Sequence, residues 1–273
     1  MPEIAKEYQY ERLIRLIGPE QYRRLQRAHV LIMGTGGVGS WTAEALARLD
    51  IGHFTLVDFD TVRPSNINRQ LIALPRHLGR LKCEVMRERI LEINPEAEVK
   101  CLPLKYLPDR SEEVWNGGPY DAVVDAIDNI TAKCHLLHQA RQRGIPIVTS
   151  TGAAGRLDPG QVRIADLSHT KVDPVALQVR KKLRRDYYYP ANKSFHIPAV
   201  YSEEIPRPPF DTAKLLNPAD REAENAFVDS DPDEDRPRRH APPYGTSSFV
   251  VGTFGMFAAG KITELLLAAG SQK

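Results

Sequence analysis

At 273 residues the chain is long enough to bury one sizeable core without a second domain, so 1–273 is read as a single unit. Its 37 Lys and Arg against 35 Asp and Glu leave a formal charge of +2, which excludes diffuse attraction to polyanions; a nucleic-acid contact has to come from a local patch. The three cysteines, Cys83, Cys101 and Cys134, are widely spaced, which excludes a disulfide framework and a C-x-x-C metal site.

The opening residues MPEIAKEYQYERLIRLIG contain no apolar run with a small-residue cleavage site, so no secretory signal is read there and a cytoplasmic location is expected. A helix is predicted over about 10–26. Residues 30–33 form a short apolar strand that ends in Gly34-Thr35-Gly36-Gly37-Val38-Gly39. The helix that follows carries Trp41, Ala45 and Leu49 on one face and Glu44 and Arg48 on another, the spacing of an amphipathic segment. Residues 54–57 read as a second strand running into Asp58-Phe59-Asp60. Next come a helix over 81–93 stopped by Asn94-Pro95, a strand over 99–102, an apolar strand closing on Asp125, a helix over 132–143 and a strand over 145–148. Strand and helix in strict turn predict an α/β fold, a doubly wound and mostly parallel Rossmann-like sheet.

Residues 28–155 are read as the nucleotide-binding core and 156–273 as a substrate-side, C-terminal part that completes the sheet. Ten of the 21 prolines fall between Pro190 and Pro243, a density expected to forbid regular structure. With the acidic run of residues 229–235, 206–243 is expected to be a mobile loop. The apolar stretch from Phe249 to Gly270 is interrupted by Lys261 and Glu264, so it reads as a buried or interface helix rather than a membrane span. Peripheral membrane association is an alternative use of it.

Gly34, Gly36 and Gly39 satisfy G-x-G-x-x-G between a strand and a helix, with Gly37 added; backbone amides at such a helix start can face a phosphate. The bland alternative is a tight turn without a ligand. Asp58 ends the next strand and can accept from ribose hydroxyls, which suits NAD and ATP equally. Cleaving ATP between its α and β phosphates also needs cations for the departing pyrophosphate. Arg69, in Ser65-Asn66-Ile67-Asn68-Arg69-Gln70, and Lys82, at the start of a helix, are candidates for that task. Singly, each would more often be a solvated surface charge.

The motifs GTGGVGS at 34–40, DFDTV at 58–62, SNINRQ at 65–70, GRLK at 79–82 and DAIDN at 125–129 together resemble the ubiquitin-activating-enzyme-like, or ThiF-type, superfamily of adenylating enzymes. The resemblance implies ATP and Mg2+ as cofactors. It places Asp58 and Asp60 with the glycines at the nucleotide, Asn66, Arg69 and Lys82 on the triphosphate, and Asp128 beside the magnesium and the adenylate. It also implies a homodimer, whose interface the C-terminal part helps to form and in which Arg12 reaches into the partner's site.

The C-terminal pieces DPVALQVRKKLRR at 173–185, AVYSEE at 199–204 and GTSSFVVGTFGMFAAGKI at 245–262 resemble the threonylcarbamoyladenosine dehydratases that act on tRNA. That likeness implies ATP-dependent cyclodehydration of a modified base beside the anticodon, through adenylation of its carboxylate. Lys171, Arg180, Lys181, Lys182, Arg184 and Arg185, with Tyr187, Tyr188 and Tyr189 behind them, are the candidate tRNA patch. The bland alternative is a solvated helix face followed by core tyrosines. DNA is not an expected partner. Other functions weighed are an adenylating enzyme for a ubiquitin-like or sulfur-carrier protein, with or without a sulfur-transfer partner, an NAD-dependent oxidoreductase, and a scaffold without turnover. The absence of paired C-x-x-C motifs and of any cysteine after Cys134 counts against the carrier-protein activators.

Overall fold

Five strands supply the parallel body of a sheet: β1 (His29–Met33), β2 (His53–Val57), β3 (Glu98–Leu102), β4 (Ala122–Asp125) and β5 (Ile147–Ser150). A computed structural model describes residues 5–212, 217–225 and 244–269. In β1, β2, β4 and β5 consecutive residues are buried, the mark of strands covered on both faces. Two further strands, β6 (Val162–Asp166) and β7 (Pro198–Ser202), complete a seven-stranded sheet of order β3-β2-β1-β4-β5-β7-β6. Every pairing is parallel except β6 with β7. The doubly wound, mostly parallel expectation therefore holds. Strand order reverses between β1 and β4, so the carboxyl ends of these two strands open the crevice where ligands of such sheets bind.

Ten α-helices are present among the described residues: α1 (Lys6–Gln9), α2 (Glu11–Ile17), α3 (Pro19–Arg27), α4 (Gly37–Ala47), α5 (Lys82–Ile93), α6 (Glu112–Trp115), α7 (Ile130–Gln142), α8 (Pro174–Tyr187), α9 (Pro218–Asn225) and α10 (Ser248–Ala268). Alternate residues of β1 feed two cores. Val30 and Ile32 join Leu46, Met86, Phe254 and Ile262 on one face. Leu31 and Met33 join Leu136, Leu137, Val179 and Leu183 on the other.

Three expectations need correction. The single helix over 10–26 is two, α2 and α3, because Gly18 takes φ +82° between them, a left-handed conformation that ends a helix at little cost only for glycine. In α4 the fully buried residues are Ser40, Thr42, Ala43, Leu46 and Ala47, and Glu44, expected on the polar face, is only 5% exposed. α10 lies across another side of α4, with Gly252 over the Trp41 ring and a Cβ added at Gly255 only 2.5 Å from that of Trp41, while α5 brings Arg89 onto Glu44. Glu44 is compensated by Arg48 at 2.8 Å and by Arg89 at 2.9 Å. Burial works against its charge, but these guanidiniums prevail and hold its carboxyl below the usual range.

The proline-rich stretch also contains regular structure. Pro198 opens β7 and Pro218 opens α9, first positions where the missing N–H is not required. The acidic run 229–235, and most of the expected loop 206–243, lie outside the described residues. By length and composition α10 could cross a bilayer, yet half of its most apolar window is buried inside the fold.

Candidate nucleotide site

The crevice is built from the loops that leave β1, β2, β3 and β4. Leaving β1, Gly34 takes φ +90° and donates its N–H to the Val57 carbonyl at 2.8 Å. A Cβ at Gly39 would collide with the Gly34 carbonyl oxygen, so the turn closes only with hydrogen at that position. At Gly36 the nearest atom to an added Cβ is Gln70 Nε2 at 3.6 Å, an ordinary contact. Packing within the chain therefore does not by itself require a glycine there, and the backbone of Gly36 is left open to the crevice.

Asp58 stands at the end of β2, almost buried. Its Oδ2 accepts from the Thr35 amide at 2.7 Å and from the Thr35 hydroxyl at 3.0 Å, and its Oδ1 accepts from the Asp60 amide at 2.9 Å. Burial pushes its carboxyl up, against the pull of the nearby Lys82 charge. Lys82 opens α5 and donates from Nζ to Asp60 at 2.6 Å, with its side chain 6% exposed. Asp60 thus holds the lysine at the mouth of the crevice.

The loop over 63–70 folds on itself. Asn66 is buried, and its Oδ1 accepts from the Arg63 amide at 3.1 Å. Arg69 donates from Nη1 to the Ser65 carbonyl at 2.7 Å, while its own carbonyl accepts from Trp41 Nε1 at 3.2 Å. Beside Asp58 is an apolar cleft lined by Met33, Val57, Phe59, Leu104, Tyr106 and Ile127. A flat aromatic base fits such a surface, with Asp58 at its rim.

In the DAIDN run the structure separates two aspartates. Asp128 is exposed ahead of α7, and Asn129 caps that helix by accepting from Thr131 and Ala132 at 2.9 and 3.0 Å. Asp125 is wholly buried and accepts from Lys133 Nζ at 2.7 Å and from the Thr149 hydroxyl at 2.6 Å. Sequence reasoning missed Lys133. The available signal was an aspartate closing a buried strand with a lysine one helical stretch later.

Among the described residues no three His, Cys, Asp or Glu side chains converge on a metal position. A magnesium ion needs only one or two carboxylates when phosphates complete its shell, and the exposed Asp128 meets that requirement.

A scan against family models matches the ThiF family over residues 8–272. The chain belongs to the ThiF family. Within the ThiF family it is 39% identical to the tRNA threonylcarbamoyladenosine dehydratase of Haemophilus influenzae over 255 residues, 93% of this chain and 91% of the relative. The crystal structure of the E. coli tRNA N6-threonylcarbamoyladenosine dehydratase in complex with ATP superposes with TM-score 0.83 at 32% identity, covering 100% of this chain and 99% of that one. Likeness to the sulfur carrier protein adenylyltransferase of Thermus thermophilus, at 32%, is confined to 157 residues, 58% of this chain and 56% of the relative.

On this ThiF frame Arg12 lies far from the chain's own nucleotide loop. It is exposed on α2, and Lys6 of the adjoining α1 pairs with Asp50 at 3.0 Å and Glu96 at 2.7 Å. Both acids precede strands, so α1 and α2 sit at the amino edge of the sheet, opposite the crevice.

The six candidate tRNA cations divide. Lys171 and Lys181 are exposed. Lys182 and Arg185 both pair with Asp186, at 2.9 and 2.5 Å. Arg180 donates to the Thr170 hydroxyl, and Arg184 to the Ala191 carbonyl at 3.0 Å while lying over the Phe195 ring. Tyr187 and Tyr189 pack on His138 in the second core, and Tyr188 is 90% exposed.

Proposed function

We propose that this chain is an ATP-dependent tRNA threonylcarbamoyladenosine dehydratase acting in the cytoplasm. The modification's carboxylate attacks the α phosphorus of ATP and pyrophosphate leaves; a nucleophile of the same modification then attacks the acyl adenylate and expels AMP. The nucleoside loses one water overall, its oxygen departing on AMP. The observation that carries this reaction type is Lys82, held 2.6 Å from Asp60 beside the glycine turn and Asp58, where charge develops on a departing pyrophosphate. The dehydratase likeness over 93% of the chain, against 58% for the sulfur-carrier enzyme, supports the substrate.

In this reading Asp58 receives the ribose, the amides of the glycine loop meet the phosphates, and Asn66, Arg69 and Lys82 hold the triphosphate. Asp128 holds magnesium, which when bound neutralises phosphate charge. Two copies form a dimer in which Arg12 of each serves the other's crevice, consistent with its place at the opposite edge of the sheet. No enzyme thiol is required, because the second nucleophile belongs to the substrate. Burial pushes the Cys134 thiol up to about 12, and Cys83 is fully enclosed. Replacing Cys83, Cys101 and Cys134 together by Ser should therefore preserve turnover within about threefold in a variant of normal fold. A folded but inactive triple variant would restore a thiol intermediate.

tRNA is met by the exposed Lys171 and Lys181 with Tyr188, aided by Lys182 and Arg185 when they turn from Asp186 to phosphate. The test is pyrophosphate release with tRNA that carries the open modification and with tRNA that lacks it. Only the former should stimulate release. Changing Lys181, Lys182 and Arg185 to Glu should raise the half-maximal tRNA concentration at least tenfold and lower the logarithmic salt slope by roughly 0.7–0.9 for each phosphate that is no longer neutralised. An unaltered slope and concentration would place the RNA elsewhere. Stimulation by a carrier protein ending in Gly-Gly, and not by tRNA, would refute the substrate assignment.

A further inference from the structure

Beside Arg69 the side chain of Asn68 has two distinct engagements. Its Oδ1 accepts from Arg69 Nη1 at 3.0 Å, while its Nδ2 donates to the Thr246 carbonyl at 3.1 Å and lies 3.2 Å from the Thr246 hydroxyl. An amide has one accepting and one donating end. Turned over, it would face the guanidinium with an NH2 group and the Thr246 carbonyl with an oxygen, so Thr246 selects the orientation that suits Arg69.

Thr246 is itself fixed. On one side the Gly245 carbonyl accepts from the Gly155 amide at 2.7 Å, and on the other the Ser247 hydroxyl donates to the Arg156 carbonyl at 3.4 Å. Arg156 is buried and pairs with Asp173 at 3.0 Å, and Asp173 caps α8 through the Ala176 amide at 2.8 Å. The segment over 244–247 is therefore tied to the rigid base of the substrate-side helix. Asn68 is exposed, so each of its bonds is weak by itself; their value is directional.

We propose that Asn68 is a positioning residue for Arg69, and that Thr246 sets the orientation in which Asn68 does this. The inference rests on Arg69 as a triphosphate ligand. An arginine on an exposed loop loses affinity to rotamer freedom, and anchoring one guanidinium nitrogen to the Ser65 carbonyl and the Asn68 amide removes part of that cost before ATP arrives.

The test is equilibrium binding of ATP and of adenosine to the full-length protein, taken as the ratio of the two dissociation constants, with thermal unfolding as a check on each variant. Arg69→Ala should lower the preference for ATP by at least tenfold, and Asn68→Ala by about three- to tenfold. Asn68→Asp keeps the acceptor for Arg69 but sets a carboxylate oxygen against the Thr246 carbonyl, so it should fall between Asn68→Ala and wild type. Thr246→Val, which removes the hydroxyl and keeps the carbonyl, should cost about twofold. Adenosine affinity should stay within about twofold throughout, whereas a merely structural Asn68 would weaken both ligands alike. A wild-type preference in Asn68→Ala and Asn68→Asp, with Arg69→Ala impaired, overturns the proposal. An unimpaired Arg69→Ala overturns it through the assignment of Arg69 itself.

Discussion

Lys82→Ala is expected to slow pyrophosphate release by about 10²–10³-fold while adenosine binds nearly as well as before. Lys82 is not a surface charge that happens to lie near the loop. Its side chain is 6% exposed, and its Nζ rests 2.6 Å from Asp60, so most of the desolvation and ordering cost is met by the fold before ATP binds. On the proposed assignment, charge held in place this way would act on the pyrophosphate as negative charge moves onto it, at no cost in reorganisation at that moment. In the proposed reading the groups that meet adenosine lie elsewhere, at Asp58 and the cleft beside Met33 and Ile127. Asp60→Asn should lose less, because the lysine remains but is held less firmly. Single-turnover pyrophosphate release, with adenosine affinity as the control, separates these effects; near-wild-type release by Lys82→Ala would remove the lysine from the chemistry.

Lys133→Met is expected to have the largest effect on stability, about 3–5 kcal/mol. The substitution leaves Asp125, 0% exposed, with a buried charge and only neutral partners. Lys133 also donates to the Ser150 carbonyl at 2.9 Å, so its loss opens a second buried acceptor where β5 ends. At roughly 2–4 °C per kcal/mol for a chain of this size, unfolding should begin roughly 6–20 °C lower. Combining Lys133→Met with Asp125→Leu removes both charges and should recover most of the loss, since an apolar pair of similar volume is often no worse than a buried ion pair. Chemical denaturation of the three variants checks this. A loss below about 1 kcal/mol in the single variant would mean that water or a backbone shift already satisfies Asp125.

The strands of the parallel body up to β5 were legible, because a parallel sheet covered on both faces demands unbroken apolar runs such as those ending at Met33 and Val57; β6 and β7 were not read as strands. The glycine turn was legible because the positive φ of Gly34 and the clash of a Cβ at Gly39 with the Gly34 carbonyl are matters of local backbone geometry. What stayed hidden depends on residues brought together from afar. Glu44 is met by Arg89 of α5, 45 residues away, and no pattern within α4 reports that. Asp60 and Lys82 stand 22 residues apart, and only the loop between β2 and α5 makes them a pair. The six-cation run looked uniform along the chain, yet helix geometry turns Arg180 and Arg184 towards the fold and sets Asp186 beside Lys182 and Arg185. Proline density misled for a different reason: the effect of a proline depends on where in an element it falls, and Pro198 and Pro218 both fall first.

The most direct measurement is mass spectrometry of nucleosides from tRNA that carries the open modification, after incubation with the purified protein, ATP and magnesium. Conversion to a nucleoside lighter by one water, only when ATP is present, is the expected result. An unchanged nucleoside, from protein that still consumes ATP to adenylate a carrier protein ending in Gly-Gly, would contradict it.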